Sequence, residues 1–354
     1  MVALSIHADY RCGHSGRCCG TDWDVPVESS ARAAIEAGQQ ERRLPLVEPF
    51  AAGFPPEGYA GVLRRERGAC VFFDQASRLC AVHGQLGQGA LPVTCRQFPR
   101  IARTGPRGVA ITLSHYCPTA ARLLLREDVP LAVVEQPEAF PPGSYEGLQA
   151  DDWPPLLHPR MLMDEASYDA WEAHVVWRCA TVSSLWSALA TIRRDAEALC
   201  RWRPEDGVLM DAVLACRSRP VVQVGVPDGA WVHSRVRDAR EAVPEAEPVE
   251  ERLDLSAGLA AMVSFERAAL RLVAAHGFAS WCAYQARGIA AHVRSLETVA
   301  AVLLVEVARV KASSDSWGTE GFLAAVGATD FLLRHEASRE ALAAVWTRRE
   351  VGAG

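Results

Sequence analysis

Lysine is almost missing from this chain of 354 residues: Lys311 is the only one, and arginine carries the rest of the permanent positive charge. That bias fits a GC-rich coding sequence better than a binding role. The formal net charge is −6, which argues against a nucleic-acid binder held by general phosphate attraction. Long apolar runs are also scarce. The longest in the second half, Val299 to Val305, lies between Glu297 and Glu306, far short of the ~20 residues that a membrane span requires. Met1 to Tyr10 has neither the basic start nor the apolar stretch of a signal peptide, so a cytosolic protein with no membrane attachment is expected. No internal repeat, coiled-coil heptad or serine–histidine–acid order is visible. Gly84, Gly87 and Gly89 lack the strand-then-helix frame of a phosphate loop and read as a turn.

Cysteine, by contrast, is plentiful. Seven of the eleven cysteines fall between Cys12 and Cys117. They read as Cys12-x5-Cys18-Cys19, then Cys70-x9-Cys80-x2-His83, then Cys95, then Cys117. In a reducing compartment disulfides are rare, and clustered thiols bind metal or do redox work. Thiolates suit zinc and iron–sulfur clusters, and a cysteine–imidazole mixture suits zinc as well. With His83 there are eight potential ligands, enough for two four-ligand sites or for one four-cysteine cluster with spare thiols. The spacing does not choose between them. It matches neither paired Cys-x2-Cys zinc ribbons nor the Cys-x3-Cys-x2-Cys loop of radical enzymes that use S-adenosylmethionine.

Other polar residues have plainer readings beside functional ones. Arg96 and Arg100 flank the Cys95 turn and could offset thiolate or cluster charge, or hold a carboxylate or phosphate of a cofactor; they could equally be surface arginines. His7, His14 and His115 are expected in solvated loops. Asp22 and Asp24 are expected to cap or to face water. Cys179, Cys200, Cys216 and Cys282 fall in helical patterns and read as core fillers, as do Trp171, Trp177 and Trp186.

The pattern of apolar residues and breakers predicts a strand over Ser5 to Asp9 and a helix from Ser29 or Ser30 to about Arg43. A hairpin of Ala69 to Phe73 and Arg78 to Val82 would bring Cys70 near Cys80, with His83 at the end of its second strand. Pro92 suits the first turn of a short helix carrying Cys95, which Pro99 would end. Val109 to Leu113 reads as a strand, and Pro118 starts a helix to about Arg126. The proline-thick stretch to Arg160 reads as a surface linker with one short strand at Leu131 to Glu135.

Beyond that stretch, Trp171, Val175, Cys179, Val182, Trp186, Leu189 and Ile192 define a helical stripe. A shorter helix is expected over Asp206 to Cys216, and a hairpin of Val221 to Val226 with Ala230 to His233. Glu241 to Glu251 is expected to be mobile. Helices follow at Leu255 to Ala275, Ala279 to Arg294, Leu296 to Lys311, Glu320 to His335 and Ser338 to Glu350. The expected class is mainly α with a small α+β cysteine-rich N-terminal part. In that layout a loop-and-hairpin metal or cluster module (1–126), a proline-rich linker (127–163) and a helical domain (164–354) follow one another, the module packed on a C-terminal helical bundle.

In these residues the chain resembles the YkgJ-type cysteine-cluster family of zinc- or iron-chelating domains, and within it the flagellin lysine-N-methylase proteins. The resemblance is carried by Cys12…Cys18-Cys19, by Cys70-Val-Phe-Phe-Asp…Leu79-Cys80-Ala-Val-His83 and by Leu91-Pro-Val-Thr-Cys95-Arg-Gln-Phe-Pro-Arg100. Leu113-Ser114…Cys117-Pro118-Thr-Ala-Ala-Arg122-Leu completes it, so that it covers about the first 125 residues. It implies metal or iron–sulfur binding by Cys12, Cys18, Cys19, Cys70, Cys80, Cys95 and Cys117. It further implies S-adenosylmethionine-dependent methyl transfer to lysines of a protein such as flagellin. No motif locates a site for the methyl donor. A non-catalytic zinc- or iron-binding protein for storage, delivery or sensing is the alternative.

Overall fold

The computed structural model describes all residues except 22, 144, 151–153, 244–252, 286–287, 314–316 and 349–354. About 53% of the chain is helical and a small mixed sheet accompanies the helices, in keeping with a mainly α class. Two compact units result. One comprises Met1–Tyr10, Ile101–Tyr116 and Ala120–Gly354; the other comprises Arg11–Arg100 with Cys117–Thr119. They interleave in sequence, whereas the expectation was a module, a linker and a helical domain in succession. Among the described residues, no helix is long and apolar enough to cross a membrane.

The larger unit carries a five-stranded sheet in the order Val133–Glu135, Val2–Leu4, Gly108–Leu113, Arg100–Gly105, Gly147–Gln149. Val2–Leu4 runs parallel to Gly108–Leu113 and antiparallel to Val133–Glu135. Two of these strands, Val133–Glu135 and Gly147–Gln149, come from the stretch expected as a linker. Gly147 sits so close to its neighbour that a Cβ there would run into the Ala102 carbonyl oxygen, leaving room only for glycine. The strand expected over Ser5 to Asp9 lies earlier, because the chain turns into a short 3₁₀ helix at Ser5–His7. The Ser5 N–H still donates to the Ala132 carbonyl at 2.8 Å, while its hydroxyl donates to the Pro130 carbonyl at 2.5 Å and accepts from the Ala132 N–H at 3.0 Å.

The stripe from Trp171 to Ile192 folds as two helices, Glu165–Thr181 and Leu185–Leu199. Asp164 caps the first by accepting from the Ser167 N–H at 2.9 Å, and Ser184 caps the second. The hairpin expected at Val221 to His233 is absent. Asp228 accepts from the Trp231 N–H at 2.7 Å and caps a helix, Gly229–Arg240. The preceding valines find side-chain partners in place of a strand: Thr191 Oγ1 accepts from the Val222 N–H at 2.9 Å and Ser187 Oγ from the Val224 N–H at 3.3 Å. Most of the acidic stretch expected to be mobile lies outside the described residues.

The helix expected over Leu255 to Ala275 breaks at Val263–Phe265 into Leu255–Met262 and Glu266–Gly277. The two helices expected between Ala279 and Lys311 are instead a short turn, Cys282–Gln285, and one long helix, Ile289–Ser313. Eighteen of that helix's 25 residues are buried, so it is enclosed on all sides rather than amphipathic. It packs against Leu255–Met262, Gly229–Arg240, Leu185–Leu199, Glu266–Gly277 and the following helix, Thr319–Phe331. Some polar groups on it are paired: His292 Nδ1 accepts from Trp171 Nε1 at 3.1 Å, and Arg309 pairs with Glu306 at 2.6 Å. Cys179, Cys216 and Cys282 lie in the interior as fillers, and Cys200 is half-buried.

A second enclosed network ties the helices Glu165–Thr181 and Leu185–Leu199. The Asp195 carboxylate, fully buried, accepts from His174 Nε2 at 2.9 Å, from Arg178 at 3.2 Å and from Arg194 at 2.7 Å. Asp195→Ala would leave the buried Arg178 guanidinium without its carboxylate, a change that costs roughly 3–5 kcal/mol. Chemical denaturation of the variant should show that loss; a midpoint within error of the parent would contradict this account of the network.

Candidate metal centre

The smaller unit, about ninety residues long, has a hydrophobic cluster with ten buried side chains among the described residues, including Val27, Ile35, Leu44, Phe50 and Phe72. That is a thin core, and small scaffolds of this kind gain most from a structural metal. Short secondary elements present its thiols. Gly16 takes a left-handed conformation (φ 71°) and leads into a 3₁₀ turn, Arg17–Cys19, that holds Cys18 and Cys19. Arg78 Nε donates to the Ser15 carbonyl at 3.1 Å and anchors this loop beside the hairpin that ends in Cys80.

The hairpin is shorter than expected. Phe73 pairs with Cys80, while Cys70 lies in a separate two-strand pair opposite Arg65. Cys95 sits on the helix Val93–Gln97, close to the expected limits, and the Glu28 carboxylate accepts from the Val93 N–H at 3.2 Å. Cys70, Cys80 and Cys95 pack against the cluster of ten.

The result is a nest of five half-buried thiols from Cys18, Cys19, Cys70, Cys80 and Cys95. Cys18 Sγ and Cys19 Sγ are 4.0 Å apart, close to the edge of about 3.8 Å in a tetrahedron with 2.3 Å metal–sulfur bonds. Hydrogen bonding among Cys18, Cys19 and Cys80 pushes the Cys19 thiol up and draws those of Cys18 and Cys80 down. Cys80 falls to about 6: the Cys19 hydrogen bond outweighs burial, and the His83 and Val82 N–H groups add to it. Burial raises Cys70 to about 11, and raises Cys95 together with the nearby charges of Cys70, Cys80 and Cys18. Among the described residues, no three His, Cys, Asp or Glu side chains form a group that could hold a metal ion. The donor chemistry nonetheless fits a thiophilic ion: neighbouring sulfurs, two of them shifted toward thiolate, on short loops.

The other candidates lie differently. Cys12 is exposed and accepts from the His14 N–H at 3.4 Å, and the Gly13 N–H donates to Thr119 Oγ1 at 3.3 Å beside the buried Cys117. His83 lies in the helix Ala81–Leu86 rather than at a strand end; its backbone reaches Cys80 and its ring stacks on His14 at 6.1 Å. Arg100 donates to the Arg96 carbonyl at 3.5 Å, so these two arginines are linked to each other. Asp24 is exposed, as expected, and Asp22 lies outside the described residues.

His7 and His115 overturn the expectation of solvated loops, because both are completely buried in the larger unit. His7 Nε2 meets His115 Nε2 at 3.2 Å, His115 Nδ1 lies 3.4 Å from Asp330, and Asp330 also binds His276 Nε2 at 2.5 Å. A π-helical turn, Leu332–Glu336, adds Arg334 and His335, the latter 2.8 Å from Ser114 Oγ. Burial alone would raise the Asp330 carboxyl, but His276 and Arg334 hold it well below its ordinary value. Burial, reinforced by Arg334, lowers His276 to about 4, and burial also lowers His335 to about 4. No local motif could have revealed this cluster, since its members lie on four segments far apart in sequence.

Compared with protein-family models, curated proteins and solved structures, the chain matches none.

Two outcomes follow from these geometries. A Cβ at Gly16 would meet the Phe73 ring at 2.6 Å in a backbone conformation that favours glycine, so Gly16→Ala should destabilise the cysteine loop by more than about 1 kcal/mol. An unchanged urea midpoint would refute that. His276 and His335 stay neutral in the folded chain down to about pH 4, while the unfolded chain protonates them from about 6.5. Their contribution is therefore complete above pH 6.5 and should be lost progressively as pH falls toward 4. Thermal melts across that range check it, and His276→Asn should flatten the slope.

Proposed function

We propose that the smaller unit binds a thiophilic metal ion or an iron–sulfur cluster through Cys18, Cys19, Cys70, Cys80 and Cys95, with Cys12, Cys117 and His83 as further donors. The observation that carries this reading is the approach of sulfurs from separate segments: Cys18 Sγ and Cys19 Sγ lie 4.0 Å apart, and both interact with Cys80 on the neighbouring hairpin. A bound zinc ion would cross-link the loops of this cysteine-rich module, and a cluster would add electron transfer.

The more specific part of the proposal is S-adenosylmethionine-dependent methyl transfer to lysines of a flagellin-like protein in the cytosol. It rests on the resemblance of the segments around Cys12, Cys70, Cys95 and Cys117. Arg96 and Arg100 would hold the anionic part of a cofactor. The exposure of Cys12 favours a second reading, in which the unit exchanges zinc or iron with a partner without turnover.

Protein purified without air should carry metal, either with sulfide and a brown absorbance or as colourless zinc. Cys80→Ser and Cys95→Ser should each reduce the bound metal at least severalfold, and metal content equal to the parent in both would end the proposal. Incubation with S-adenosylmethionine and flagellin, read by mass spectrometry of lysines, separates the methylase reading from simple exchange.

A further inference from the structure

In the larger unit, residues 220–228 join the 3₁₀ turn Cys216–Ser218 to the helix Gly229–Arg240 without a turn or bend, and most of them are exposed. Both ends are extended: Arg219 has φ −74° and ψ 139°, and Asp228 has φ −68° and ψ 162°. One edge of the segment is occupied by the helix Leu185–Leu199. Thr191 and Ser187 accept from the Val222 and Val224 N–H groups, the Ser187 hydroxyl donates to the Val224 carbonyl at 3.4 Å, and Arg194 donates to the Pro220 carbonyl at 2.6 Å. Along an extended chain the backbone groups of successive residues face opposite sides. Those of Val221, Gln223 and Gly225 therefore face away from that helix, and among the described residues none of their N–H groups makes a backbone hydrogen bond.

The run Val221-Val222-Gln223-Val224-Gly225-Val226 is rich in β-branched residues and holds no charge and no proline. Open edges of this kind are ordinarily blunted by lysine, proline or a bulge. This one has no such block, and Val224 and Val226 are 43% and 51% exposed. We propose that the edge pairs antiparallel with the same edge of a second copy of the chain, about a twofold axis at Gln223. Gln223 then lies opposite itself and Val221 opposite Gly225. Two observations select a second copy. The outward-facing residues Val221, Gln223 and Gly225 are placed symmetrically about Gln223, so each meets an outward-facing residue of the partner strand. The flanking charges are opposite in sign, with the exposed Arg217 and half-buried Arg219 before the run and the exposed Asp228 after it. Antiparallel pairing brings the Asp228 of each copy toward the arginines of the other, whereas parallel pairing sets arginine against arginine. A contact of two short strands buries less than a standard interface, so the dimer is weak and forms only as concentration rises.

The test is sedimentation velocity of the full-length chain from about 1 to about 300 µM, over which the parent should pass from monomer toward dimer. Gln223 is exposed, so charge placed there leaves the fold intact, which circular dichroism checks. Gln223→Lys and Gln223→Glu each set like charges opposite one another and should weaken association at least about tenfold. An equimolar mixture of the two variants sets lysine opposite glutamate and should restore the dimer. A parent that stays monomeric throughout overturns the proposal, and an extended valine-rich peptide binding to that monomer would assign the edge to a strand of another protein instead. A dimer indifferent to Gln223→Lys also overturns it, placing the contact elsewhere on the surface. A mixture no tighter than either variant alone overturns the pairing about Gln223.

Discussion

The approach of three sulfur atoms from two separate segments sets the character of the smaller unit. Cys18 and Cys19 lie 4.0 Å apart and interact with Cys80, which pushes the Cys19 thiol up and draws the other two down. That approach requires the loop through Arg17–Cys19 to lie against the hairpin ending at Cys80, which is what the left-handed Gly16 and the Arg78–Ser15 contact achieve. Loop conformation and thiol acidity are therefore one property. The thin apolar core beneath explains why the unit would benefit from an inorganic cross-link.

The larger unit solves a different problem. It encloses charged and polar side chains in quantity and pairs them with one another: Asp195 with His174, Arg178 and Arg194, and Asp330 with His115, His276 and Arg334. Groups like these are costly to remove from water singly and less so as partners. They fix the helices at chosen positions in a way that interchangeable aliphatic contacts would not.

Sequence reasoning located the short helix carrying Cys95 and the strand ending at Leu113 because proline, glycine and β-branched residues act locally. It read Val221 to Val226 as a strand because alternation carries no information about where the backbone bonds end; here Thr191 and Ser187 supply them. It placed His7 and His115 in water because neither has an apolar frame of its own, and their burial depends on Asp330 more than two hundred residues further on. Among the candidate ligands, the crowding of thiols was visible as density in the chain. The division between the nest and the exposed Cys12, His14 and His83 was not, since it depends on which way short loops turn.

The helix Ile289–Ser313 has a consequence of its own. With neighbours around most of its circumference, it offers no side on which substitutions can accumulate unnoticed. A change at any of its enclosed positions presses on two or three surrounding helices at once. Over evolutionary time the outer helices of this unit should diverge freely while this rod stays nearly constant, a fixed spindle about which the rest of the unit is rebuilt.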